Sequence, residues 1–99
     1  MMYFLTFIKG NKEKGIEKTY CAGFFETLED AEFEMNDTDY FATDLEYKYA
    51  VIEEVTAGFR TMAGIPKWYK WYERECFYFE NPEPKWGKKS KNFWKRWRN

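Results

Sequence analysis

The nine residues Tyr47–Val55, YKYAVIEEV, constrain this chain more than any other stretch. Read with the two-residue period of a strand, one face carries Tyr47, Tyr49, Val51, Glu53 and Val55, and the other carries Lys48, Ala50, Ile52 and Glu54. Both faces are apolar in the middle and charged towards one end. That pattern belongs to an interior strand, covered by a helix on one side and by aromatic rings on the other.

Such a strand needs neighbours, and the chain supplies them. Met2–Ile8 alternates Tyr3, Leu5, Phe7 with Phe4, Thr6, Ile8, which suits a strand buried on both sides. Lys9–Lys18 is polar, contains Gly10 and Gly15 without phosphate-loop spacing, and reads as a hairpin loop. Thr19–Phe25 is a second strand, with Tyr20, Ala22 and Phe24 expected on one face. Thr27 is a helix N-cap, and Leu28, Ala31 and Met35 form an apolar row at i, i+3, i+7. Glu29 and Asp30 suit the positive end of that helix dipole. NDTDYFATD follows as a loop with one short helical turn.

Thr56–Pro66 is a loop rich in turn residues, and Lys67–Tyr72 (KWYKWY) and Cys76–Glu80 (CFYFE) read as a hairpin pair. Pro82 and Pro84 stop that pattern. The order β-β-α-β-β-β predicts one α+β domain over residues 1–84, an antiparallel or mixed sheet with a helix on one face, followed by a basic aromatic C-terminal tail over 85–99.

Ninety-nine residues are enough to bury about 65% of the unfolded chain's surface without metal or disulfide staples. An aromatic fraction of 23% beside a charged fraction of 33% excludes a disordered chain. Cys21 and Cys76 have no paired spacing and are expected to be buried free thiols. No apolar run reaches membrane-spanning length and MMYFLTFI lacks the flanks of a leader, so a cytoplasmic location is expected.

The segments GFFETLEDAE (Gly23–Glu32), YAVIEE (Tyr49–Glu54) and WYKW (Trp68–Trp71) resemble a family of small uncharacterised proteins of phages, prophages and gut Firmicutes, over roughly residues 3–84. The resemblance implies a compact α+β fold and a mobile-element origin, with the host cytoplasm as the setting. It carries no functional residues across, and the tail KKSKNFWKRWRN departs from the family pattern.

Catalytic templates find little to work with. Histidine is missing, and with it the commonest general base and metal ligand. Ser90 is the only serine, and it lies in the basic tail. Glu53 and Glu54, adjacent on a strand, point to opposite faces and form no dyad. Asp37-Thr38-Asp39 begins like a calcium loop but has Ala42 where glycine and Lys48 where glutamate belong. The expectation is a non-enzymatic protein with no metal and no cofactor.

Charge is where the chain is distinctive. Residues 1–84 hold nine bases and all seventeen acids, a balance of −8, whereas 85–99 hold seven bases and no acid. The acids concentrate at Glu26, Glu29, Asp30, Glu32, Glu34, Asp37, Asp39, Asp44 and Glu46. One reading is a solvated, solubilising face; the other is a face that imitates a phosphate backbone and binds a host protein or ribonucleoprotein, such as a CRISPR or other nucleic-acid-handling defence complex.

The tail supports an alternative. A helix from Ser90 would gather Phe93, Trp94 and Trp97 on one side, with Lys91, Lys95 and Arg98 opposite and Arg96 adding charge. Those residues, with the exposed members of Trp68, Tyr69, Trp71 and Tyr72, would bind single-stranded nucleic acid or a nucleotide by stacking and phosphate contact, or the tail would dock on the domain's own sheet. No membrane partner is expected.

Overall fold

The expected central strand is central. In the computed structural model, which describes residues 2–11, 13–55 and 66–86, β3 (Tyr49–Val55) lies between β1 (Met2–Asn11) and β4 (Lys67–Tyr72). β2 (Gly15–Phe25) flanks β1, β5 (Phe77–Asn81) flanks β4, and every pairing is antiparallel in the order β2-β1-β3-β4-β5. The domain is therefore α+β with a five-stranded antiparallel sheet.

The two faces of β3 have the two covers its alternation called for. On one face α1 (Leu28–Asn36) and the short α2 (Tyr40–Thr43) bury Ala31, Met35 and Ala42 against Leu5, Phe7, Ala50, Ile52, Tyr69, Trp71 and Tyr78. On the other, Trp86 lies on Ile8, Val51 and Trp68, with its ring edge-on to Tyr49 at 5.1 Å. Trp86 is 4% exposed, so the packed core continues past Pro84. The Thr27 side chain accepts the Asp30 N–H at 3.1 Å, which fixes the start of α1 where its cap was expected.

Three local expectations are corrected, and one open choice is decided. The Lys9–Lys18 loop is mostly strand: β1 runs to Asn11 and β2 starts at Gly15. The hairpin closes that tightly because a Cβ on Gly10 would sit 2.4 Å from the Gly15 carbonyl oxygen, an approach that only glycine permits. Second, β2 does not keep Tyr20, Ala22 and Phe24 on one face. Leu5 pairs with Gly23 and Thr6 with Cys21, so a bulge at Ala22 shifts the alternation. Tyr20 and Ala22 stay on the helix side, while Phe24 stacks on Phe4 of the opposite face at 4.7 Å.

Third, both cysteines are free but exposed. Cys21 is on the outermost strand, and Cys76 sits in the β4–β5 turn at φ 51, taking the left-handed position a glycine would normally fill. The choice left open among the KWYKWY aromatics is decided by burial: Trp68, Tyr69 and Trp71 are core residues at 3–4% exposure, leaving Tyr72 as the only exposed aromatic of that run.

Candidate protein-interaction surface

The acidic segment folds into α1, α2 and the turns around them. The Leu28–Ala31–Met35 row points to the sheet, so Glu29, Asp30 and Glu34 are left on the solvent side. Glu26, Asp37, Asp39, Asp44 and Glu46 are exposed as well. Among the described residues none of these carboxylates is in an ion pair; the two ion pairs, Lys48–Glu73 at 2.5 Å and Lys67–Glu80 at 3.6 Å, lie at the β4–β5 end. The Lys48 hydrogen bond holds the Glu73 carboxyl below its ordinary pKa. The charge of α1 is therefore directed at solvent or at a partner.

Glu32 is the exception. It is half-buried and accepts the Tyr69 hydroxyl at 2.6 Å, tying α1 to β4. Burial, and then the Glu32 carboxylate, push the Tyr69 hydroxyl far above its usual titration range, so it remains a donor. One turn on, Asn36 Oδ1 accepts the Tyr78 backbone N–H at 2.9 Å and ties the end of α1 to β5. Burial likewise raises the Tyr78 hydroxyl, which donates to the Tyr47 carbonyl at 2.6 Å.

These tethers hold α1 beside β5 without closing the space between them. An open cleft of about 590 Å³ remains, lined by Glu29, Glu32 and Phe33 from α1 and by Phe77, Phe79 and Glu80 from β5, with Tyr69 and Met35 beneath. Phe33 is 70% exposed and Phe77 and Phe79 are above 40%. Phe77 and Phe79 lie 5.1 Å apart, and Tyr72 meets Phe79 edge-on at 5.4 Å, so the apolar surface continues from the cleft onto the face of the sheet away from α1. An apolar patch next to a charged rim is a composition that binding surfaces share.

Asn36, Phe33, Phe77 and Phe79 escaped the reading of the sequence. Phe33 carried a signal, because it falls off the Leu28–Ala31–Met35 row and so had to face outwards. The others depend on which strand ends the sheet. The tail residues Lys91, Phe93, Trp94, Lys95, Arg96, Trp97 and Arg98 lie outside the described residues. No group of metal-binding side chains occurs among the described residues, and none of their helices is long and apolar enough to cross a membrane.

Fold and surface together define a small two-layer α+β domain with an acidic helix face bordering an apolar cleft. Compared with known proteins, the chain matches no protein-family model, no curated protein and no solved structure.

Proposed function

We propose that the chain is a non-enzymatic binding protein whose acidic α1 face docks on a cationic, phosphate-holding site of a protein or ribonucleoprotein and blocks it. The observation that supports this reading is the row of exposed carboxylates on α1 and its flanking turns that have no counter-ion among the described residues. Glu29, Asp30 and Glu34 lie within about 8 Å of helix at ~1.5 Å rise per residue, or roughly one charge per 2.5 Å. Duplex DNA carries one per ~1.7 Å. A groove that holds phosphates meets a similar line density of charge on this helix, and the field steers encounter as well.

In the phage setting that the sequence resemblance implies, the partner is a host factor such as a CRISPR or other nucleic-acid-handling defence complex in the host cytoplasm. The nucleic-acid-binding alternative rests on the tail and Tyr72, since Trp68, Tyr69 and Trp71 are committed to the core.

The test is capture from nuclease-treated bacterial lysate on immobilised full chain. The expected partner is retained after nuclease, released by added oligonucleotide or by salt, and lost when Glu29, Asp30 and Glu34 are all changed to Lys in a folded protein. Retention by the folded triple variant overturns the acidic-face reading. Loss of all binding after nuclease treatment favours the tail.

A further inference from the structure

We propose that the cleft between α1 and the outer edge of β5 is a strand-addition site, and that it takes an extended segment of a protein partner in which apolar residues alternate with Lys or Arg. The proposal rests on the partner-binding reading above and specifies how the partner is held.

The backbone supplies the first argument. β5 ends the sheet, and Tyr78 pairs with Trp71 of β4. The Tyr78 N–H goes to the Asn36 side chain on α1, so it points away from β4. In an antiparallel ladder the outward-pointing residues alternate, which places the N–H of Glu80 on the same outer edge. Natural edges are usually blocked by a bulge, an edge lysine or a proline. Along Phe77–Asn81 none of these occurs and the first proline is Pro82; the edge is covered by α1 at Tyr78, through Asn36, and Glu80 carries the next outward N–H. Asn36 occupies one donor in the manner of a neighbouring strand's carbonyl, and the Glu80 carbonyl receives the side-chain amide of Asn81, at 3.0 Å.

The side chains supply the second. The cleft runs along this edge, with α1 as its opposite wall. An added strand would lay alternate residues on the helix side, towards Glu29, Glu32 and Glu80, and its remaining side chains on the opposite face, beside Phe77 and Phe79. Among the described residues no Lys or Arg lines the cleft, so its polarity selects a basic segment. The same charges disfavour a second copy of β5, because pairing two such edges brings their acidic rims together. The apolar wall excludes a purely polar polycation as the best occupant.

The probe is a capped heptapeptide alternating Arg and Val, with an Arg/Ser heptapeptide as control, titrated into the full chain by fluorescence anisotropy and NMR. Expected are binding of the Arg/Val peptide in preference to the control and at least tenfold slower hydrogen exchange at the Glu80 N–H. Glu80→Gln should weaken binding about threefold through the lost rim charge, and Glu80→Pro about five- to tenfold further through the lost edge donor. Equal affinity of the Gln and Pro variants, or binding with no protection at Glu80, overturns strand addition. Failure of the peptide to bind also overturns it while the triple Lys variant still tests the acidic face by itself. Peptide binding only after Lys91, Lys95 and Arg98 are changed to Glu would assign the cleft to the chain's own C-terminal segment, and concentration-dependent dimerisation that the peptide cannot reverse would assign it to a second copy; either result overturns the proposal.

Discussion

Removing one oxygen from the core tests how the acidic helix is held. Tyr69→Phe deletes the hydroxyl that donates to Glu32 at 2.6 Å and changes almost nothing in volume, since the ring, 3% exposed, stays packed in the helix-side core. A hydrogen bond to a charged acceptor contributes about 1.5–3 kcal/mol. Glu32 is only half-buried and regains water when the donor goes, so the lower part of that range applies, about 1.5–2 kcal/mol. For a domain of this size that is a fall in Tm of roughly 6–16 °C.

Urea unfolding followed by tryptophan fluorescence measures the loss, and a cycle with Glu32→Gln and the double variant isolates the pair. The expected coupling is about 1 kcal/mol, with the double variant less destabilised than the sum of the singles. A cost under about 0.5 kcal/mol for Tyr69→Phe, with additive singles, would show that the contact does not anchor α1 and that the cleft wall is held by Asn36 and apolar packing alone.

Ile52→Ala, at the centre of β3 and 2% exposed, should cost about 2–5 kcal/mol in the same unfolding assay, and a loss below about 0.5 kcal/mol would contradict its burial. Thr27→Ala removes the cap to the Asp30 N–H and should cost about 1 kcal/mol; unchanged stability would mean the bond is not made in solution. Both Cys21 and Cys76 should react with a thiol reagent in the folded state at mildly alkaline pH, and a requirement for denaturant before either reacts would restore the buried thiols that the sequence suggested.

Much of the architecture was legible because its determinants are local. A period of two in Met2–Ile8 and Tyr47–Val55, an i, i+3, i+7 row after a threonine cap, and prolines after a strand each act within a few residues. They correctly indicated β-β-α-β-β-β, the two covers of β3 and the outward charge of α1. Alternation failed at Phe24, since a bulge is a property of two paired strands and only Leu5 and Thr6 opposite Gly23 and Cys21 reveal it. Turn chemistry failed at Cys76, where a non-glycine residue takes the left-handed position.

The candidate site divides in the same way. Nine acids without neighbouring bases are visible as a string, so an acidic surface followed from the residues themselves. Whether Trp68, Tyr69 and Trp71 or Phe77 and Phe79 are the accessible rings could not be read, because both runs are aromatic and alternate equally well. Strand order decided it: β4 is interior and buries Trp68, Tyr69 and Trp71, whereas β5 ends the sheet and leaves Phe77, Phe79 and one polar backbone edge exposed near α1. Exposure at a sheet edge depends on what does not pair there, and that is set by the whole fold rather than by any segment of it.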